Sequence, residues 1–255
     1  MTAATSDLTV EEFAAVRSVG FTPVGQVMGS AVFNVGWPVV SCGADRWTRF
    51  GTPVVPVTGT QQLYTQARQR AVARMRQECA ELGGDGVVGV RLRVMPFHGI
   101  GMEFFAVGTA VRAAGEVRPR VPFTSDLTGQ DFAKLLRAGW VPVALVQGVG
   151  AMAQHGGRLR RFPVRSANQE IATTTGLVHA ARDAARDALM VDARHAGGES
   201  VVLRDTELRV FELRCPLSRD NEDQHAHTFM WGTAIVPYAR RPVPEPPLTM
   251  LRLNR

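Results

Sequence analysis

The feature that most constrains this chain is a repeat: the pattern of residues 63–112 returns, diluted, over residues 177–236. Leu63, Ala67, Ala71, Met75, Cys79 and Leu82 stand at steps of four and three, the spacing of one buried helix face. Shifted by 114 residues, Leu177, Ala181, Ala185, Leu189, Ala193 and Ala196 occupy the same places. Gly83 and Gly197-Gly198 follow the two stripes, where a left-handed residue closes a helix. Val87-Val88-Gly89-Val90 comes next, too short and too β-branched for another helix, and reads as a strand. Phe97-His98-Gly99-Ile100-Gly101 has turn chemistry, and Phe104 to Val111 reads as the return strand of a hairpin. The copies end on Gly108-Thr109-Ala110-Val111 and Gly232-Thr233-Ala234-Ile235. A period of this size implies one supersecondary unit used twice.

Each unit is announced by its own short helix. Thr9 with Glu12 three residues later is a capping box, predicting a helix that turns Phe13 and Val16 inward and stops at Gly20. The same signal returns 119 residues on as Ser125-Asp126-Leu127-Thr128, Asp131, Phe132, Leu135 and Gly139. Its expected job is to cover a sheet edge or a neighbour's surface. The first strand region, Phe21 to Gly36, is apolar at both alternating sets of positions and so implies burial on two sides. One long helix per unit covers one sheet face, which leaves the other for a neighbouring subunit. Gly29 and Gly148 occupy matching places and mark a bulge or a close backbone approach.

The succession Ala67-Arg68, Met75, Leu82-Gly83, Val87-Val88-Gly89-Val90 and Gly108-Thr109-Ala110-Val111 resembles the YbjQ-like family, a group labelled heavy-metal-binding. Val24-Gly25-Gln26-Val27-Met28-Gly29 fits that family's first strand, so the resemblance spans nearly all of residues 20–113. In the second half only a skeleton remains: Val143, Val146, Gly148, Ala181-Arg182, Gly197-Gly198, Val201-Val202 and Gly232-Thr233-Ala234. Leu203-Arg204 replaces Gly89-Val90 there. The resemblance implies a dodecin-subunit-like β-α-β-β unit; with the duplication, the expected fold is α+β, two such units in tandem, each preceded by a short N-terminal helix that is an addition to the family unit. It also implies assembly into rings, often of five. Its metal label brings no ligand motif that maps residue by residue.

The resulting division is 6–113 for the first unit, 114–124 for a linker, 125–238 for a diverged second unit and 239–255 for a proline-rich tail. With 45% hydrophobic and 20% charged residues, 255 residues carry enough apolar mass for two cores. No apolar run reaches the roughly 18 residues of a membrane helix, and the start lacks a basic segment followed by an apolar one. Three cysteines, Cys42, Cys79 and Cys215, without C-x-x-C spacing fit a reducing, cytoplasmic setting. The net charge of +6 rests almost wholly on arginine, Lys134 being the only lysine, a bias that points to codon composition. Arg158, Arg160, Arg161 and Arg165 cluster, yet nucleic acid is not the expected partner.

Catalytic signals are thin. Gly148-Val149-Gly150 with Ala153 matches a loose dinucleotide pattern, but Gly156-Gly157 breaks the helix that the motif requires. No G-x-S-x-G or H-E-x-x-H occurs, and a non-enzymatic protein is expected. The metal candidate is Asp223, His225 and His227, which alternate and so share one strand face. By the Gly-Thr-Ala alignment His227 falls at the position of Glu103, which joins the candidate set for a divalent transition metal. Against this, Glu222 to Gln224 reads as a polar hairpin turn. Cys79 reads as a small core residue, since Ala193 replaces it, and His98, His155, His179 and His195 carry no paired signal. Residues 37–59 read as a long loop whose Trp37 and Trp47 either anchor an interface or shield the core.

Two functions stay open. One is a ring-forming oligomer, expected as a homopentamer, acting as a scaffold or small-ligand-binding shell. The other is a metal-binding or metal-responsive protein with sites at strand faces or subunit interfaces.

Overall fold

The computed structural model describes residues 5–34, 53–97, 101–155, 170–215 and 222–238. The expectations for Trp37, Cys42, Trp47, His98, the Arg158–Arg165 cluster and the proline-rich tail lie outside them. The first half supplies α1 (Val10–Ser18), β1 (Phe21–Asn34), β2 (Val54–Pro56), α2 (Thr58–Glu81), β3 (Gly86–Phe97) and β4 (Gly101–Ala113). The second supplies β5 (Phe123–Thr124), α3 (Gly129–Arg137), β6 (Trp140–Gln154), α4 (Ala172–His195), β7 (Ser200–Arg214) and β8 (Glu222–Pro237). Two four-stranded sheets result, in the orders β1-β4-β3-β5 and β2-β6-β8-β7. The fold is therefore α+β, built on two tandem β-α-β-β units.

The capping and helix-ending signals act as expected, but of the two α1 residues read as inward-facing only Val16 is buried; Phe13 is exposed. Thr9 accepts from the Glu12 N–H while Glu12 reaches back to the Thr9 N–H, closing the capping box of α1. Thr128 accepts from the Asp131 N–H at the start of α3. Gly83 and Gly197 end α2 and α4 with φ of +70° and +80°. The stripes bury Ala67, Ala71, Met75 and Cys79 on sheet 1, and Leu177, Ala181, Ala185, Leu189 and Ala193 on sheet 2. Leu82, the last residue of the first stripe, stays exposed.

Gly29 and Gly148 mark close approach rather than bulges, which fall at Pro23/Gly25 and Pro142/Ala144. A Cβ at Gly29 would overlap the Ala71 carbonyl, and one at Gly148 or Gly150 the carbonyls of Ala185 or Ala181. The glycines of the dinucleotide-like pattern thus sit within β6 so that α4 can lie on it. Each helix also tends the outer edge of its first strand. Glu78 accepts from the Met28 N–H (2.7 Å), and Asp192, 114 residues on, accepts from the Gln147 N–H (2.9 Å). An unpaired edge amide is thereby satisfied inside each unit. The threonines of the two Gly-Thr-Ala ends have a parallel role. Thr109 Oγ1 accepts from the Asp7 N–H and Thr233 Oγ1 from the Asp126 N–H, pinning each Ser-Asp-Leu segment to its own sheet.

Three features depart from the sequence reading. Residues 53–57, read as part of a long loop, supply β2, which pairs with the edge of β6 in the other sheet. The linker ends in β5, parallel to β3, with Ser125 and Leu127 continuing the hydrogen bonds along that edge. Asp223, read as part of a turn, is a buried strand residue of β8.

Cys79 is a core residue as expected, its thiol donating to the Gly86 carbonyl at 3.4 Å. Burial, with Asp85 nearby, pushes its pKa up to about 11, so the thiol stays protonated at neutral pH. Iodoacetamide is expected to leave Cys79 unmodified in native protein and to alkylate it after denaturation, as read by peptide mass mapping. Labelling of native Cys79 at the rate of an exposed thiol would contradict this packing.

The joint between the units and a candidate metal centre

The helix α2 works on two sides. Its alanine stripe lies on sheet 1, while longer side chains on the next face reach the second surface of sheet 2. Gln61 Nε2 donates to the Ala151 carbonyl (3.2 Å), and Gln147 Nε2 donates to the Thr65 carbonyl (3.0 Å). The Tyr64 ring stands 4.8 Å from that of Phe229. The Arg68 guanidinium lies over Phe229 at 5.1 Å and Trp231 at 5.3 Å. Arg68 is buried, which lowers its pKa to about 10, so it keeps its charge at neutral pH. Its Nε and Nη1 have no hydrogen-bond partner among the described residues, which leaves the aromatic faces as its main compensation. Arg76, which stands off the apolar stripe, also turns into the joint and donates to Thr124 Oγ1. Beside them is a cavity of about 460 Å³, lined among others by Arg68, Arg76, Leu92, Gln147, Asp192 and His195.

Among the described residues, no helix covers the equivalent surfaces elsewhere in the chain. On sheet 2, Gln147, Val149 and Ala151 of β6 are buried beneath α2. Their counterparts on β1 include Met28 and Val32, which are 51% and 49% exposed. Met95 of β3 extends that open surface, with Phe105 half-buried between the strands. On α4, Arg182 stands at the place of Arg68 and Met190 at the place of Arg76, both exposed. The edge of β7 is likewise unpaired among the described residues, whereas the edge of β3 carries β5.

A second cluster lies at the far end of sheet 2. Asp223, His225 and His227 share one face of β8, as their alternation required, but they do not converge on one point. Asp223 and His225 are buried. The His225 ring stacks on Phe211 at 5.5 Å, and the His227 ring meets Phe211 edge-on at 4.8 Å. Burial holds the pKa of His225 below the usual imidazole range, with Asp223 opposing. Burial, then His225 and Arg209, takes His227 down to about 4. Both are neutral imidazoles at neutral pH, the form that binds metals. Glu103 stands on β4 in the other sheet, opposite Val32 and Met95.

Asp223 instead meets two residues that sequence reading passed over. His155 Nδ1 lies 2.7 Å from Asp223 Oδ1, and the Cys215 thiol completes a buried group whose ligand atoms all lie within 4.8 Å of one another. No local motif links them; only the strand register does.

Comparison with known proteins fits this architecture. A family model described as "Putative heavy-metal-binding", the YbjQ model, matches residues 56–114, which hold α2, β3 and β4. An encapsulin nanocompartment protein of Mycobacterium tuberculosis is 38% identical over 208 residues, spanning 78% of this chain and 75% of that protein. The chain belongs to the YbjQ-like family. Among other relatives, a UPF0145 protein of Halorubrum lacusprofundi is 44% identical over 54 residues, 21% of this chain and 52% of that protein. A UPF0145 protein of Vibrio campbellii is 38% identical over 56 residues, 22% of this chain and 54% of that protein. The chain thus spans about half the length of these two. For a YbjQ-like chain, the second unit is the divergent one, and it is the second unit that carries the His155–Cys215–Asp223 group. No helix among the described residues is long and apolar enough to cross a membrane.

Proposed function

We propose that this chain is a non-enzymatic structural protein that joins copies of itself head to tail into a closed ring, as part of a scaffold or shell. The observation that carries this reading is the contrast between two equivalent joints. Inside the chain, α2 sits on the second face of sheet 2; the matching face of sheet 1 leaves Met28, Val32 and Met95 exposed, and the outer side of α4 is open with Arg182 and Met190 exposed. Seating α4 of one copy on sheet 1 of the next repeats the internal joint, with Arg182 over Phe105 as Arg68 lies over Phe229. The N-terminal segment follows the same logic. Residues 123–127 run along the β3 edge, and the equivalent stretch ending at Leu8 would run along the open β7 edge of the neighbouring copy. Such a contact joins two different surfaces and closes only as a ring. Exposed apolar patches of this kind are uncommon on monomers. The nanocompartment relative is in keeping with a shell role.

Rings of five units cannot be tiled by paired units, because five is odd. Five chains form either one ring of ten units or two stacked rings, and the side-by-side joint favours the single ring. Light scattering at micromolar concentration is expected to give about five times the 27.7 kDa chain mass. Arg182→Glu combined with Met28→Asp is expected to give a monomer with unchanged circular dichroism. A monomeric wild type, or a double variant of unaltered mass, would overturn the assembly; a dimer or hexamer would remove only the five-fold count.

A second reading, a metal-binding or metal-responsive protein, is favoured by the neutral imidazoles of His225 and His227 beside Asp223, with Glu103 at the equivalent place in sheet 1. It needs no assembly and is compatible with it.

A further inference from the structure

We propose that His155, Cys215 and Asp223 form a binding site for one divalent, thiophilic transition-metal cation, with zinc as the type ion. The site lies within a single chain and does not depend on ring formation. Strand register builds it. Gln154 pairs with Gln224, so His155, the next residue, comes opposite Asp223. Leu213 pairs with Asp223 from the other side, and Cys215 lies two residues beyond Leu213, on the same face. Three strand ends therefore deliver a nitrogen, a sulfur and an oxygen to one place. All three residues are buried, and their ligand atoms lie within 4.8 Å of one another.

The carboxylate supplies a second, independent indication. Asp223 Oδ1 is engaged by His155, but Asp223 Oδ2 is buried with no hydrogen-bond partner among the described residues. A buried carboxylate oxygen left in that state is costly, and a cation held between the three side chains would satisfy it. Zinc bonds of roughly 2.0–2.3 Å require donors about 3–4 Å apart, so a small contraction of the group is enough. Imidazole with thiolate selects a borderline or soft ion over calcium or magnesium, which take oxygen ligands. Binding displaces the thiol proton of Cys215 and the hydrogen between His155 and Asp223. Three protein ligands leave a fourth position for water or an added ligand.

Among the described residues, the first unit has no counterpart of this site. The pair Phe97↔Gly101, the last of the β3–β4 ladder, corresponds to Phe211↔His225. Beyond it the second unit adds Glu212↔Gln224, Leu213↔Asp223 and Arg214↔Glu222. The cluster stands on this extension.

The test uses full-length, untagged protein, stripped with a chelator and titrated with Co²⁺. Wild type is expected to take up one Co²⁺ per chain by elemental analysis, with tetrahedral ligand-field bands and a thiolate-to-cobalt charge-transfer band. Cys215→Ser should abolish the charge-transfer band and weaken cobalt binding about tenfold or more. Asp223→Asn, close in size, should weaken binding similarly while keeping the band, and it serves alone if the serine variant does not fold. Circular dichroism and light scattering check the fold and mass of each variant, so a fault in assembly is not read as a fault in the site. The proposal is overturned by wild type that binds no cobalt. A charge-transfer band that survives in Cys215→Ser, or a folded Asp223→Asn that binds as tightly as wild type, overturns it equally.

Discussion

Met75→Asp is expected to unfold the first unit and, because the halves share a joint, to take the whole chain below its working stability. Met75 is fully buried among Val27, Ala71, Cys79 and Ala110, between α2 and sheet 1. A lone carboxylate there costs several kcal/mol or more, against about 5–15 kcal/mol for a whole domain. Gln66→Asp, on an exposed position of the same helix, is the matched control and is expected to shift the melting temperature only slightly. Arg76→Asp does not serve as a control, because Arg76 faces the joint rather than open solvent. Equal melting temperatures for the Met75 and Gln66 variants would contradict the assigned face of α2.

Gly148→Val should be almost as damaging, for a different reason. It adds no charge and fits a strand, so β propensity alone predicts a neutral or favourable change. Its Cβ, however, would occupy the space of the Ala185 carbonyl, so α4 must lift off β6. Lifting α4 exposes Ala185, Leu189 and Ala193 and opens the core that they share with Val146 and Met230. The expected outcome is loss of the cooperative thermal transition of the second unit. Gly29→Val should do the same to the first, where the obstructing group is the Ala71 carbonyl. Val149→Ala makes a useful contrast: it deletes bulk on the opposite face of β6 and should cost only about 1–3 kcal/mol. A Gly148→Val protein that melts like wild type would show that the helix does not lie this close to the strand.

What was legible in the sequence was what physics encodes locally. The helix stripes, the Thr9 and Thr128 caps and the helix-ending glycines are patterns within a few residues, and they acted as read except at Leu82 and Phe13, which stay exposed. The elements that bind the halves together were not legible. β2 and β5 are three and two residues long, too short for any periodicity, and each exists only because a strand edge of the other unit is there to pair with. Arg68 stands off the apolar stripe, and its burial depends on two aromatic rings more than 150 positions later. The candidate site divided in the same way. Alternation correctly placed Asp223, His225 and His227 on one face, because that rule is local. The meeting of Asp223 with His155 and Cys215 depends on which rung of β6 and of β7 lies opposite, and register across three strands is invisible in any single stretch. The polar run Glu222 to Gln224 misled for the same reason. It looked like the tip of a hairpin, when the ladder carries on through it.

The longer β7–β8 ladder has a consequence for how such a protein can change. In a ring of identical single units, any substitution appears at every position at once, so a hairpin longer by three rungs must suit every interface or none. Joining two units in one chain halves that repetition. The second unit can then carry a hairpin, a thiol and a carboxylate that the first lacks, while the first keeps the shorter form on which its own contacts depend. Covalent pairing thus lowers the rotational order of any assembly while doubling the kinds of surface that it can present.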